Sequence, residues 1–260
     1  MTSCIENTGF LKNRKIMLCL LTSGQFDYFR ASFESAVYQN APKTYAYDIH
    51  VNVNTLNPNY FLEVKEYLTN FIALHNEYLR SRDIQVWIHK TTSNGKPGKG
   101  HNSVLELFRQ FSNQYEYLFT IDGDDFLYPV ALMQVEKYLL QHSPDVVMLM
   151  FHDILRPEQT NCFGYPVANK ACLNFNIKEA SRIFWEITKS QLNPFEGTNI
   201  NELNTYSRLI IFSRNAVSKQ DRIHFDENCK LYDDFLPNLQ VAELGLQQTL
   251  KVCRIYDSNI

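Results

Sequence analysis

The sequence predicts one α/β domain with a mostly parallel central sheet and helices on both faces, and three observations carry that expectation. Short apolar runs of strand length alternate with amphipathic helical patterns from residue 15 onward. Their order, strand, helix, strand, helix, strand, is the one that parallel crossovers need. The run Tyr117 to Ile121 then stops at Asp122, Gly123, Asp124 and Asp125, a charged strand end of the kind at which ligands gather in such sheets. With 260 residues and 45% hydrophobic content the chain can bury a substantial core.

Taken in order, residues 1–14 are polar and irregular and read as an arm. The first strand is Lys15 to Leu21, broken by Thr22, Ser23 and Gly24. Phe29, Phe33, Ala36 and Val37 fall at helical spacing, and Asn40-Ala41-Pro42 ends that helix. Tyr47 to Val53 is the second strand. Asn57-Pro58 then reads as an N-cap followed by proline at the first helical position, and Phe61, Val64, Leu68, Phe71, Ile72 and Leu79 mark one long helix. Ile84 to His89 is the third strand.

Ser93 to His101, SNGKPGKGH, holds three glycines, a proline and two lysines, and reads as a positively charged loop. Asn102 or Ser103 is the expected cap of the helix carrying Val104, Leu105, Phe108 and Phe111, which leads to the strand at Tyr117. A helix from Pro129 to Gln141 and a strand from Val146 to Phe151 follow. Residues 152–204 are loosely patterned, with a helical patch at Ile177 to Thr188. Arg208 to Ser213 reads as a strand followed by a polar turn. Leu231 opens a helix through Ala242, and Leu250 to Tyr256 is the last strand.

The net charge of -3 provides no field for nucleic acid or an acidic membrane, so an anionic ligand must be held by local cations. The six cysteines lack C-x-x-C spacing, no signal segment precedes them, and they read as reduced thiols. No apolar run approaches the roughly 20 residues of a membrane span. The expectation is a soluble, cytoplasmic protein without an integral membrane segment.

Asp122, Asp124 and Asp125 suit a divalent cation, because residues two apart in extended backbone point the same way and Gly123 leaves room for a ligand. Clusters of aspartate and glycine also make ordinary turns. An EF-hand loop is excluded, since its sixth position would be Leu127 and its twelfth Met133. Beside a lysine-bearing glycine loop the cluster supplies the two halves of a diphosphate site, a metal on phosphate oxygens and ammonium groups for the remaining charge. Lys96 and Lys99 can equally be solvated loop residues.

Thr22, the helix ending ASFESAVYQN, the strand YDIHVNV, the loop NGKPGKGHNSVLELF, the DGDD cluster and the later SRNAV and HFDENCKLYDDF stand in serial order. Together they resemble the inverting family 2 glycosyltransferases of GT-A fold, over most of residues 15–256. The resemblance implies a single GT-A-like, Rossmann-like domain binding a nucleoside-diphosphate-sugar. Asp122 and Asp124 would be the D-x-D pair, with Asp122 near ribose or sugar, Asp124 on Mn²⁺ or Mg²⁺, and Asp125 sharing the ligation. Thr22, Lys99, His101 and Asn102 would line the donor site, His101 standing where arginine is common. The family's acidic residue after the second strand is replaced by Asn52, Asn54 and Thr55, and the Asn54 amide can still pair with a base edge.

The same resemblance makes Asp233-Asp234 the pair that supplies the catalytic base, with Asp234 favoured. Helix capping and the helix dipole account for aspartates there equally well. Tyr165, Trp185, Phe195 and Tyr206 can stack on an acceptor sugar or simply fill core. The expected organisation is an arm at 1–14, a nucleotide-sugar-binding half at 15–151 and an acceptor-binding half at 152–260 carrying the base. The expected activity is metal-dependent transfer of a sugar, with inversion, to a glycan or other hydroxyl acceptor. A non-catalytic nucleotide- or carbohydrate-binding module stays open beside it. So does a sugar-phosphate nucleotidyltransferase, although LLTSGQF lacks the glycine- and arginine-rich signature of that class.

Overall fold

The structure, a computed structural model, describes residues 2–5, 16–40, 44–127, 129–153, 210–218, 223–228 and 247–256. Its strands are β1 (Thr2–Ile5), β2 (Ile16–Thr22), β3 (Tyr47–Thr55), β4 (Val86–Thr92), β5 (Tyr117–Asp122), β6 (Phe126–Leu127), β7 (Val146–Asp153), β8 (Ile210–Ser213) and β9 (Gln247–Tyr256). Its helices are α1 (Phe26–Val37), α2 (Pro58–Leu74), α3 (Asn76–Ser81), α4 (Pro97–Phe111), α5 (Ala131–His142) and α6 (Arg214–Ser218).

All of these strands join one sheet in the order β1-β4-β3-β2-β5-β8-β7-β9-β6. β2, β3, β4 and β5 are mutually parallel. β8 is antiparallel to both β5 and β7, and β9 is parallel to β7, so β7 and β9 run in the direction of β5. Only β1, β6 and β8 oppose the rest. This is the mostly parallel α/β sheet expected from the element order, with β8 and β9 completing it from the second half of the chain.

Both faces are covered because β2 is apolar on both sides. Its Ile16, Leu18 and Leu20 pack with Phe29 and Phe33 of α1, Val64 and Leu68 of α2, and Leu132 and Val135 of α5. Met17 and Cys19 point the other way, against Val104 and Phe108 of α4 and Ala216 and Val217 of α6. Burial raises the pKa of the Cys19 thiol far above its usual range and keeps it inert. No helix among the described residues is long and apolar enough to cross a membrane.

Local chemistry explains the helix starts that sequence pattern places well. Asn57 Oδ1 accepts the Asn59 amide at 3.0 Å and Pro58 opens α2, as its cap pattern requires. The expected long helix, however, divides at His75 into α2 and α3. Part of the expected arm is a strand, since β1 pairs antiparallel with β4 and covers that edge of the sheet. The polar turn after β8 is the short helix α6, and β6 is an additional strand between the aspartate cluster and α5.

The largest departure is at 93–101. Helix α4 begins at Pro97, so Gly98, Lys99, Gly100 and His101 are helical, and Lys96 occupies the N-cap without a side-chain cap bond. Ser103 is no cap, for its hydroxyl donates to Gly100 O at 2.6 Å within the helix. Two helical glycines disfavour this start by about 1 kcal/mol each. Packing overrides that preference: a Cβ at Gly98 would collide with the Asp226 carbonyl, and one at Gly100 would stand 3.0 Å from Leu21.

Candidate active site

The carboxyl ends of the central parallel strands bring the candidate residues together. Leu21 is in register with Asn52 and with Asp122, and Asn54 with Thr91, so Thr22, Asn54 and Asp122 end three neighbouring strands at one edge. Helix α4 starts beside them, its Gly100 facing both Leu21 and Asn54.

Asp122, Asp124 and Asp125 converge there, with one oxygen of each lying within 4.8 Å of the others. They are gathered by a turn rather than by strand alternation: Asp125 N donates to Asp122 O at 3.0 Å, closing a four-residue β-turn. Gly123 N donates to Leu21 O at 2.6 Å, anchoring that turn to the end of β2. Ser32 of α1 supports it by donating to Asp122 O at 3.4 Å. Asp125 is fully buried, whereas Asp122 and Asp124 are partly accessible. Three carboxylates this close repel one another, and a hard divalent cation is the partner their oxygens suit. The donor set therefore fits Mn²⁺ or Mg²⁺.

His101 flanks this cluster. Its Nε2 lies 3.6 Å from Asp122 Oδ1, and its ring stacks on Phe225 with centroids 4.6 Å apart. Thr22, at the end of β2, lies against Gly123 of the turn, its hydroxyl bonded to the Tyr60 hydroxyl. Burial pushes the Tyr60 phenol up to about 12, so that bond joins neutral groups at ordinary pH.

Lys99 and Asn102, one helical turn apart, both reach residues 225–227. Asn102 Oδ1 accepts the Phe225 amide at 2.8 Å, while its Nδ2 donates to Phe225 O at 3.0 Å and to Glu227 Oε1 at 2.9 Å. Lys99 Nζ stands 3.4 Å from each Glu227 carboxylate oxygen. Asn94 Nδ2 donates to Glu227 O, and Lys96 Nζ to Asn228 O, each at 3.0 Å. The Asn102 bond, followed by Lys99, holds the Glu227 carboxyl below its ordinary pKa. The start of α4 thus clasps the segment 223–228.

Behind α4 lies a polar network. Asn52 accepts from the Thr91 hydroxyl at 2.9 Å and donates to Ser103 Oγ at 2.7 Å. Asn54 Nδ2 donates to Thr91 Oγ1 at 2.9 Å and Thr92 O at 3.2 Å. Both asparagines are buried. The Asn54 amide nitrogen is therefore turned to β4 in this structure.

Among the expected site residues, Thr22, Asn54, Lys99, His101, Asn102 and the three aspartates all fall at this edge. Asp233 and Asp234 lie outside the described residues, as do Tyr165, Trp185, Phe195 and Tyr206. Glu227 and Phe225 were not singled out by sequence. The available signal was that residues 93–101 carry two lysines and no acid, which calls for an acidic partner from elsewhere in the chain.

No protein-family model matches the chain, and no curated protein matches it. Solved structures do. The crystal structure of S. aureus TarS matches with a TM-score of 0.59 at 17% identity, over 94% of this chain and 36% of that one. S. aureus TarS 1-349 in complex with UDP-GlcNAc matches with a TM-score of 0.60 at 18% identity, over 95% and 59% of the respective chains. The UDP complex of TarS 1-349 matches with a TM-score of 0.58 at 19% identity, over 94% and 60%. The chain thus spans a little over a third of TarS and about three fifths of its 1-349 portion. TarS is a family 2 glycosyltransferase of GT-A fold, and at these identities the likeness establishes that the chain described here has a GT-A-like fold.

Proposed function

We propose that this chain is a glycosyltransferase that moves a sugar from a nucleoside-diphosphate-sugar to a hydroxyl acceptor with inversion at the anomeric carbon. The observation that carries the reading is the Asp122, Asp124 and Asp125 cluster at the carboxyl end of a central strand in a GT-A-like fold. Support for the donor class comes from the UDP and UDP-GlcNAc complexes of TarS, which shares that fold. Asp122, Asp124 and Asp125 would hold a Mn²⁺ or Mg²⁺, whose positive charge would stabilise the departing diphosphate, an effect worth several kcal/mol.

The chain's own groups divide the remaining tasks. Lys99 neutralises further diphosphate charge. His101 and Thr22 border the sugar and ribose, and Asn54, at the end of the neighbouring strand, stands on the nucleobase side, where pairing with a base edge requires its amide to leave Thr91 and Thr92. Asn102 orders the segment 223–228, from which the chain runs within a few residues to Asp233 and Asp234. Asp234, with Asp233 beside it, takes the acceptor hydroxyl proton as that oxygen bonds to the anomeric carbon and the bond to the diphosphate oxygen breaks. A single displacement of this kind inverts the centre.

Thermal unfolding with a panel of nucleoside diphosphates, with and without Mn²⁺, tests the donor site. Ligand at about 100 times its dissociation constant adds roughly 2.7 kcal/mol to stability. We expect a metal-dependent rise that Asp124→Ala removes. Asp234→Asn should retain the rise and lose release of diphosphate from a donor sugar. No metal-dependent rise with any nucleotide, or an Asp124→Ala variant that keeps it, would sink the assignment.

A further inference from the structure

We infer that Glu227 is a further residue of the donor site: it holds Lys99 in the ligand-free protein and yields it to the diphosphate when the nucleotide binds. The inference rests on the reading of Lys99 as a diphosphate cation. Its grounds lie in how unequally the two ends of the pair are fixed.

The Glu227 carboxylate is fixed by a neutral group. Asn102 Nδ2 reaches Oε1 at 2.9 Å, and Asn102 is itself locked by two further bonds to the Phe225 backbone. The Glu227 carbonyl is held from the opposite side by Asn94 Nδ2. None of these bonds needs Lys99. The ammonium, by contrast, stands 3.4 Å from both oxygens, at the long limit of a hydrogen bond, with more than a third of each side chain exposed. A solvated pair of this kind exchanges readily.

Charge supplies the reason for such an arrangement. Residues 93–101 bring Lys96 and Lys99 to the start of α4 with no acid among them. Lys96 is engaged at the Asn228 carbonyl, which leaves Lys99 as the cation of this stretch paired to a side chain. Two residues along the same helix, His101 touches Asp122 of the metal-fitting cluster. Glu227 therefore occupies the anionic role that the diphosphate takes over when the nucleotide binds. The carboxylate stays in place when Lys99 departs, because Asn102 retains it.

The test is a calorimetric double-mutant cycle on the full chain with UDP and Mn²⁺ as the probe, comparing wild type, Glu227→Gln, Lys99→Met and the double variant. Glutamine keeps one oxygen to accept from Asn102 and replaces the other with an uncharged NH2, which removes the charge that draws Lys99. Glu227→Gln should tighten UDP binding about two- to fivefold at low salt, the range expected for releasing one exposed ion pair. That gain should vanish in the Lys99→Met background. An equal gain in both backgrounds would mean that Glu227 acts only by repelling the nucleotide through space, and would overturn the inference, as would unchanged or weaker binding by Glu227→Gln. Wild-type protein that binds no nucleoside diphosphate overturns the donor-site reading and this inference with it, whereas binding indifferent to Glu227 overturns the inference alone.

Discussion

At Gly123 the chain passes so close to β2 that a Cβ would stand 2.9 Å from both Leu21 O and Thr22 Cβ. In the sequence the glycine reads as room for a ligand, and in the structure it makes room for the protein's own backbone. Gly123→Ala must therefore push the turn off β2 and strain the Gly123 bond to Leu21 O. We expect a loss of about 1 to 3 kcal/mol, the usual range for overpacking, read as a lower denaturant midpoint at unchanged slope. Metal-dependent nucleotide stabilisation should fall with it, because the three carboxylates share that turn. A midpoint within error of wild type would refute the account. The aspartate cluster was legible in the sequence as charge at the end of a buried strand, but a plain turn accounts for it equally well, and only the lysine-bearing glycine loop beside it points to a diphosphate site. Glu227 was not, because it meets Lys99 across a separation of 128 residues and no local pattern spans that distance.

Helix α4 shows why some elements read clearly and others do not. The start of α2 follows from period and cap chemistry and that of α1 from period alone, and both signals are local. The first turn of α4 has the composition of a loop, and only the close approach of Asp226 and Leu21 makes glycine the residue that fits. Strand β3 misleads in another way. Its alternation of Tyr47, Ile49, Val51 and Val53 with Asp48, His50, Asn52 and Asn54 resembles a strand with one wet face, yet every one of these residues is buried. Its polar side is satisfied by side chains of β4, α4 and Tyr115. For α4 a sharp test is Gly98→Ala. Helix propensity alone would stabilise the protein by about 1 kcal/mol. The collision with the Asp226 carbonyl should reverse that sign and loosen the clasp. Hydrogen exchange at the Phe225 amide, which donates to Asn102 Oδ1, should accelerate. A more stable variant with unchanged exchange would show that the segment 223–228 does not depend on this contact.

At the scale of the whole molecule, strand and helix order conveyed the parallel half of the sheet, while the insertion of antiparallel β8 between β5 and β7 had no local signature. Nor did the buried polar chain that crosses the sheet beneath α4. Tyr115 donates to Asp48 Oδ2 at 3.0 Å, its hydroxyl meets His50 Nε2 at 2.9 Å, and His50 Nδ1 meets His89 Nε2 at 2.9 Å. The imidazole-to-imidazole bond needs an acceptor nitrogen, hence at least one neutral ring. Burial, reinforced at His50 by His89, drives the His50 pKa well below its ordinary value, and burial takes His89 down to about 4. An unfolded chain titrates both near 6.5. As pH falls through that value the unfolded state takes up protons that the native state refuses, so this contribution to stability is intact above about pH 6.5 and declines below it. Each histidine can withdraw up to roughly 2 kcal/mol by pH 5, a window that lies above the ordinary carboxylate range. Urea midpoints measured from pH 7.5 to 5 should therefore fall steeply in the wild type, and His89→Gln should flatten that slope by about half. Parallel slopes for the two proteins would mean that the pair is already charged or solvated in the native state. A steep slope confined to the wild type would identify the buried chain under α4 as the acid-sensitive part of the scaffold that supports the carboxylate cluster.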